Sequence, residues 1–367
     1  MDNTWQKHKK YVTWLVLGCF VFFLFLSTFP GTLRAQDRYR SNKAANMIEK
    51  EIPKNKTKHK RSIWPFIVGG AAIAAVVIFL LVKKSGNDEN TGPITVTQWG
   101  KRGSGPGEFL YISDICIDKD GYVYISDPMN NRIQIFNQDG KFKKQLNISV
   151  GGLIIYNKKL YTTGNAQGFD GLISVYDLGG RLERSWIVPD SDKADNQICS
   201  LGGIAVAENG NVYVTESAYN RVFKYTPNGV LLQTWTHGPD GLEDYLNGPS
   251  GLIIKKNEVF VVDSRNYRIL VFDLEGKHLR SWAFHETSTV PRKLAILGDS
   301  YLYIASLGAT EVGRMVFGHL SKYDLYGTFL GANLQAGLSP LALAVNSKKQ
   351  KIYVANYYNF ISVLDAF

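Results

Sequence analysis

A short unit of apolar runs recurs through residues 94–367, and this repetition limits the possible folds more than any other feature of the sequence. Its clearest copy, residues 202–235, contains four runs rich in β-forming residues, and the joining segments carry Gly, Asn or Pro. Runs of this composition between such turn residues are typical of strands joined by tight turns. The unit is therefore predicted to be a four-stranded antiparallel meander.

One aromatic residue in the second run of each unit counts the copies. These aromatic residues recur at intervals of 37 to 52 residues, at Tyr124, Tyr161, Tyr213, Phe260, Tyr303 and Tyr353. The first, third and fourth copies are the most regular. A period of this length is typical of repeat architectures such as propellers, and the count predicts six units.

The tryptophans follow the same period. After residue 91 they occur only at Trp99, Trp186, Trp235 and Trp282. Each closes a predicted fourth strand. Leu146 and Leu330 are predicted to fill the equivalent place in the two units that lack a tryptophan.

The two ends of the repeat region complement each other. The sixth unit contains only three runs, and one unpaired run, residues 94–99, precedes the first unit. If these pair, the ring closes and no sheet edge stays open there. The predicted fold is all-β: a six-bladed β-propeller of four-stranded antiparallel blades, closed by an N-terminal strand and preceded by a helical signal or transmembrane region.

Two apolar runs precede the repeats. Residues 1–35 combine a basic start, an uncharged apolar run and a small residue after Pro30-Gly31, which predicts a signal peptide or, if uncleaved, a signal anchor. Residues 63–82 are uncharged and long enough to span the ~30 Å hydrocarbon core of a bilayer as a helix. The segments 36–62 and 83–93 are predicted linkers, and residues 94–367 the propeller.

The basic linker, residues 36–62, helps to predict which side of the membrane the propeller occupies. Its lysines and arginine next to the second apolar run would be drawn to anionic lipid, or would simply be solvated. A cleaved signal followed by a stop-transfer helix would place the propeller in the cytoplasm, but it would also put this basic stretch outside. Basic flanks favour the inner side, which places the propeller outside, at the cell envelope. We expect the extracytoplasmic arrangement.

The net charge of +10 does not belong to the repeats. Residues 1–90 hold 15 Lys/Arg and 6 Asp/Glu, a net charge of +9, whereas residues 91–367 hold 27 and 26, a net charge of +1. A nearly neutral domain lacks the electrostatic footprint of a nucleic-acid binder, so no nucleic-acid partner is predicted. Cys116 and Cys199 show no zinc-site spacing and are predicted to be apolar thiols outside any disulfide.

The repeats resemble those of NHL-repeat proteins. The third unit carries Gly-Ile-Ala-Val at 203–206, Asn-Gly-Asn-Val-Tyr-Val at 209–214 and Asn-Arg-Val at 220–222. The pattern recurs at Asp127 with Asn131 and Arg132, and at Asp263 with Asn266 and Arg268. The resemblance implies a six-bladed propeller more than any one function. Some relatives are lyases or lactone hydrolases with a metal near the central channel, and others bind RNA.

Acid–arginine pairs recur between the second and third strands of three units. The acids are Asp127, Glu216 and Asp263, and the arginines are Arg132, Arg221 and Arg268. They would form either a ring of charges around a binding face or ties within each loop. Because they repeat in phase with the strands, the structural role is favoured.

Other chemical motifs are weak. The glycine-rich segment 103–107 lacks the Gly-Lys-Ser/Thr of a phosphate loop and precedes a strand, so a loop between blades is predicted. The four histidines of the repeats share no repeat position, and His278 is predicted on the outer rim. Only His237 and His285 could approach one face. No metal, cofactor or catalytic residue is predicted.

The face with the loops between second and third strands is the predicted binding surface. Its candidate residues are Asn130, Tyr219, Asn220, Tyr267, His237, Arg132, Arg221 and Arg268, beside Pro128, Met129 and the excursion 306–318. Exposed aromatic residues on loops suit a protein, peptide or glycan partner, although they could equally be ordinary loop filling. The sequence thus predicts a membrane-tethered binding or scaffold module. A propeller lyase or hydrolase with a channel metal is the alternative.

Overall fold

The computed structural model describes residues 96–165, 171–188, 199–236, 245–285, 289–308, 318–333 and 339–367. The two apolar runs predicted as a signal and a transmembrane helix lie outside these ranges. In the part of the chain that is described, no helix is both long enough and apolar enough to cross a membrane.

The described residues form six four-stranded antiparallel sheets, called blades 1 to 6. Blade 1 comprises β4 (Asp114–Ile117), β5 (Val123–Asp127), β6 (Arg132–Phe136) and β7 (Phe142–Leu146). Blade 2 comprises β8 (Leu153–Tyr156), β9 (Lys159–Asn165), β10 (Gly171–Asp177) and β11 (Leu182–Val188). Blade 3 comprises β12 (Leu201–Val206), β13 (Val212–Glu216), β14 (Arg221–Tyr225) and β15 (Leu231–Trp235).

The second half repeats this plan. Blade 4 comprises β16 (Pro249–Lys255), β17 (Glu258–Asp263), β18 (Arg268–Asp273) and β19 (His278–Ala283). Blade 5 comprises β20 (Thr289–Leu297), β21 (Tyr301–Gly308), β22 (His319–Asp324) and β23 (Phe329–Asn333). Blade 6 comprises β24 (Pro340–Asn346), β25 (Lys351–Asn356), β26 (Ile361–Asp365) and β1 (Val96–Trp99). The first strands of neighbouring blades contact one another around the ring, so they line its centre.

The N-terminal strand closes the ring. β1 pairs antiparallel with β26, with Thr97 opposite Val363 and Trp99 opposite Ile361. This confirms the predicted closure for the part of the strand that the structure describes. A parallel pair of β2 (Lys101–Arg102) and β3 (Glu108–Phe109) follows and leads into blade 1.

Six hydrophobic clusters hold the blades together, one at each interface between neighbours. Each blade therefore buries both of its faces. This explains why the middle strands are apolar throughout instead of alternating: every residue of β5 and β13, for example, is buried. The cluster between blades 6 and 1 is built around Phe109, Phe136 and Tyr353, so closure by β1 lies beside a packed core.

The turns between third and fourth strands share one design. Each begins with Asn, Asp or Thr, whose side-chain oxygen accepts a backbone N–H of its own turn, and ends with a glycine of positive φ. The pairs are Asn137 and Gly140, Asp177 and Gly180, Thr226 and Gly229, Asp273 and Gly276, and Asp324 and Gly327. The backbone N–H of Arg181 is the main group that lowers the pKa of Asp177, so this cap stays ionised.

The preceding blade packs onto each turn glycine. An ideal Cβ on the glycine would collide with a fourth-strand side chain in five places: Trp99 at Gly140, Leu146 at Gly180, Trp186 at Gly229, Trp235 at Gly276 and Trp282 at Gly327. The predicted equivalence of the four tryptophans and Leu146 is thereby confirmed. These residues are equivalent because each contacts the turn glycine of the next blade.

Second-strand tyrosines reach the same turns. The Tyr213 hydroxyl donates to the carbonyl of Leu274 at 3.0 Å, and the Tyr353 hydroxyl donates to that of Gln138 at 2.9 Å. Burial raises the pKa of Tyr213, which keeps the phenol protonated as a donor. In blades 3 and 6, and in blade 5, where the Tyr303 hydroxyl donates to Phe367 O, the aromatic residue that counted the repeats therefore joins its blade to the next. Tyr124 instead contacts Asp118 of its own blade, and Phe260 has no hydroxyl.

The prediction for Leu330 was wrong. Asn333, not Leu330, stands opposite the third strand where Trp282 stands in blade 4. Leu330 lies between the paired residues Phe329 and Gly331, in a β-bulge that shifts the register. The fourth strands of blades 1 to 5 all carry this shift, which bends the outer strands and makes them poor templates for pairing with another chain.

The contact between Trp235 and the turn at Gly276 predicts that two glycines of positive φ differ in how much stability is lost when each is replaced by alanine. Gly298 has φ +61° and open space around it, whereas a Cβ at Gly276, with φ +83°, would lie within 2.8 Å of three Trp235 ring atoms. Gly298→Ala should lose only the backbone preference, about 1–2 kcal/mol of unfolding free energy. Gly276→Ala should lose roughly 1–3 kcal/mol more through overpacking. Chemical denaturation of both variants tests this, and equal losses would contradict the role of the Trp235 contact.

Candidate functional site: the loop face and channel mouth

The loops between second and third strands define one face of the ring, called the loop face. Two of them contain single 3-10 turns, Pro128–Asn130 and Ser264–Asn266. Each described loop contains one residue of left-handed conformation, namely Asn131, Asn220, Tyr267 or Asn359. Asn suits this conformation because its short polar side chain tolerates it, and Tyr267 is the exception.

Hydroxyl groups near these loops tie neighbouring blades at the same end. Each donates to a carbonyl in or leading into the next blade's first strand: Ser126 to Val150, Thr163 to Gly202, Thr215 to Ser250 and Ser264 to Pro291. These bonds bring the loop ends of successive blades together, so the loops surround one mouth of the central channel.

Buried carboxylates organise the loops. In blade 1, Asp127 Oδ1 accepts the backbone N–H groups of Leu110 and Tyr111, while Oδ2 accepts Asn130 Nδ2 at 2.7 Å and Arg132 Nε at 3.2 Å. The Asp127 side chain is fully buried. One carboxylate thus fixes both the loop and the segment entering the blade.

Blades 3 and 4 repeat the arrangement. Asp263 accepts Asn247 N, Asn266 Nδ2 and, at 2.7 Å, Arg268 Nε. Glu216 accepts three backbone N–H groups and lies 3.5 Å from an Arg221 nitrogen. The structural role favoured for these acid–arginine pairs is confirmed by the contacts. A buried carboxylate with this many donors is compensated, so it stabilises the loop geometry.

The predicted face residues fall on the loop face, with one outside the described part of the chain. Asn130 also donates to Gly103 O at 3.0 Å, Asn220 accepts the Gly248 N–H at 2.7 Å, and the Arg221 guanidinium lies 4.8 Å from the Tyr219 ring centre. The Tyr267 carbonyl accepts the Phe284 N–H. His237, like most of the excursion 306–318, is not among the described residues.

The glycine-rich segment 103–107 is a loop between blades, as predicted. Arg132 donates to the carbonyls of Gly105 and Glu108, and Gln134 accepts the Gly107 N–H. The Glu108 carboxylate accepts the Gly105 N–H, which lowers the pKa of that carboxyl group. Backbone donors that a phosphate would need are therefore occupied within the protein.

The central channel holds a feature that the sequence did not reveal. All six first strands line a cavity of about 230 Å³ whose walls are mainly Ile, Leu, Val and Ala side chains. Lys293 of blade 5 donates to Asp114 Oδ2 of blade 1 at 2.9 Å, and the same oxygen accepts the Leu153 N–H of blade 2. One ion pair therefore links three blades at the loop end of an apolar channel.

No cluster of three or more His, Cys, Asp and Glu able to hold a metal occurs among the described residues. His278 begins the outer strand β19, as predicted, and His285 stacks on Phe329 with ring centres 4.1 Å apart. Cys116 is buried outside any disulfide, and burial is the main cause that raises the pKa of its thiol. At neutral pH that thiol is a poor nucleophile.

Exposed aromatic and Met side chains lie on the loop face, in the loops of blades 1 and 6 and in the segments that enter blades 1 and 4. They are Tyr111, Met129, Tyr245, Tyr357 and Tyr358, of which Met129 is the most exposed at 67%. Tyr357 and Tyr358 lie in the blade 6 loop with their rings in edge-to-face contact at 5.6 Å. Aromatic side chains and Met on a rigid rim are the residue types enriched in protein interfaces.

The burial of the loop carboxylates predicts that replacing Asp263 destabilises the protein, whereas replacing the exposed Asp299 does not. Asp263→Asn removes the charge that compensates Arg268 in a fully buried position, which should cost about 3–5 kcal/mol of unfolding free energy. Asp299→Asn breaks an exposed pair with Lys255, where water screens the charges, and should leave stability unchanged within error. Urea denaturation of both variants measures this. Equal stability of the two would show that Asp263 does not organise its loop.

Comparison with known proteins agrees with this architecture. The family model described as "6-bladed beta-propeller" matches residues 94–161. Human NHL repeat-containing protein 3 is 24% identical over 271 residues, covering 68% of this chain and 78% of the human protein. Protein lin-41 of Caenorhabditis elegans is 36% identical over 77 residues, which are 21% of this chain and 7% of that protein.

Solved structures show the same fold. Virginiamycin B lyase from Staphylococcus aureus superposes with a TM-score of 0.52 at 16% identity, over 75% of this chain and all of that one. The Cps50 (Swd1) propeller domain of Myceliophteria thermophila superposes with a TM-score of 0.53 at 8% identity, again over 75% of this chain. At such identities the likeness concerns the fold alone. Together with the matched repeats, it shows that the described chain is a six-bladed β-propeller whose sequence is similar to that of NHL repeat-containing protein 3.

Proposed function

We propose that this chain is a membrane-tethered scaffold that binds a protein partner on its loop face at the cell envelope. The exposed aromatic and Met side chains of the loop face carry the proposal. The relatives support it at the level of the NHL-repeat type, since repeat propellers present rigid surfaces to partners.

The loop face is suited to recognition because its backbone is fixed before a partner arrives. The carboxylates Asp127, Glu216 and Asp263 each hold two segments in place from beneath. Preorganised loops lose little conformational entropy on binding, which favours affinity. Among the described residues, this face exposes aromatic and Met side chains that could contact a partner, and it shows no cluster that could hold a metal.

The tether rests on residues 63–82, whose 20 uncharged residues match the thickness of a bilayer. The basic cluster at residues 50–61 favours the cytoplasmic side for the preceding linker. These two features together support an extracytoplasmic propeller.

Photocrosslinking in intact cells tests the binding face. A photoreactive amino acid replaces Met129 or Tyr357 on the loop face and, as a matched control, Tyr326, which is 80% exposed on the opposite face. We expect discrete adducts with the same protein from positions 129 and 357, and none from position 326. Adducts with a protein from position 326 alone would contradict the proposal.

Protease digestion of the same cells tests on which side of the membrane the propeller lies. Protease added outside, or after only the outer layer is opened, should digest the propeller if it is extracytoplasmic. A propeller that resists digestion until the inner membrane is broken would place it in the cytoplasm.

A further inference from the structure

The direction of β1 determines where the chain enters the propeller. Val96 pairs with Leu364 near the end of β26, and Trp99 pairs with Ile361 at its beginning, next to the loop face. The chain therefore enters at the opposite face, which carries the turns between first and second strands and between third and fourth strands. This surface is called the turn face. We propose that the turn face lies against the lipid headgroups of the bilayer, an inference that rests on the proposed tether.

The length of chain before Val96 limits the distance between the predicted membrane span and the propeller. Thirteen residues, 83–95, lie between the predicted membrane span and the first residue of β1. Even fully extended, that length reaches at most about 45 Å. Turning the loop face towards the bilayer would use part of this reach to pass the height of the domain. The turn face needs no such detour.

Five lysines lie in the turns between first and second strands on this face, and one of them, Lys348, donates to the carbonyl of Lys119 at 3.2 Å. Lys119, Lys158, Lys256, Lys348 and Lys349 are all exposed. Lipid phosphates attract such side chains, and each basic residue near an anionic bilayer contributes about 1 kcal/mol.

Several acids of the turn face are engaged within it. Asp118, Asp177, Asp273 and Asp324 each accept two backbone N–H groups of their own turns. Asp299 pairs with Lys255 at 2.6 Å. These four aspartates are thus held close to the backbone, whereas the exposed lysines extend on long flexible stems. Asp120, Asp139, Glu208 and Glu275 are exposed on the same face beside the lysines.

Exposed apolar side chains accompany the lysines. Tyr122, Tyr301 and Tyr326 lie at turns, and Leu182, Val230, Leu231, Leu232, Leu279 and Leu330 lie where the outer strands leave those turns. Tyrosine is enriched at membrane–water interfaces because its ring is apolar and its hydroxyl is hydrated. Tyrosine, leucine and lysine on the face where the tether enters are the combination that a headgroup layer accommodates.

Quenching in proteoliposomes tests the orientation. The full chain, with Cys19→Ser, is reconstituted into vesicles of phosphatidylglycerol and phosphatidylcholine that contain headgroup-nitroxide lipid. A bimane label is attached at Tyr326→Cys or Lys349→Cys on the turn face, or at Tyr357→Cys on the loop face. Cys116 and Cys199 are buried and should not react. We expect loss of fluorescence at positions 326 and 349, and none at 357.

Reversing the charge of turn-face lysines in the same quenching experiment tests whether these lysines hold the turn face against the bilayer. Lys119→Glu, Lys348→Glu and Lys349→Glu together should restore the fluorescence of the label at 326. The matched reversal of three exposed cations elsewhere, Arg102→Glu, Arg265→Glu and Arg292→Glu, should leave it quenched.

The outcomes separate the two proposals. Membrane insertion that resists carbonate extraction, with quenching at 357 alone or at no position, would overturn the orientation and leave the tether intact. Quenching at 326 that survives the turn-face reversal would overturn the role of the lysines. A chain released by carbonate would overturn both the tether and the orientation.

Discussion

Pairing between β1 and β26 is the interaction on which the rest of this structure depends. Blade 6 contains three strands from the end of the chain and one from its beginning, joined over Val96 to Trp99. The adjoining cluster around Phe109, Phe136 and Tyr353 then joins blade 6 to blade 1. An open ring would leave both the edge of β26 and this apolar interface in water, at a cost in backbone hydrogen bonding and hydrophobic burial.

Closure also explains the chemistry of the channel. Asp114 and Lys293 are 179 residues apart, yet they meet at 2.9 Å because the ring brings blades 1 and 5 to the same centre. Around them, the loops are fixed by buried carboxylates and the turns by tyrosine and tryptophan side chains from the preceding blade. The loop face is consequently rigid and suited to recognition. The turn face is suited to a charged, hydrated surface.

Much of this architecture could be predicted from local sequence. The second-strand aromatics counted the blades correctly, and Trp99, Trp186, Trp235 and Trp282 marked equivalent positions, because the same turn contact is repeated at each interface. The prediction for Leu330 failed because blade 5 carries the polar Asn333 at the equivalent position, six residues after the turn glycine Gly327, so no apolar residue marks that position in the sequence. The Asp114–Lys293 pair could not be found either, since no local pattern joins two inner strands four blades apart in sequence. The acid–arginine pairs were visible only as a repeat, and their partners in the entering segments became clear from the fold.

Hydrogen exchange of the backbone amides in β1 tests the closure most directly. If β1 completes blade 6, its amides bonded to β26 should be protected to the same degree as those of β25 and should open only with global unfolding. Exchange of β1 at the rate of an unstructured peptide, while β25 remains protected, would show a ring that is stable without its N-terminal strand. That result would contradict the dependence of the propeller on closure by β1.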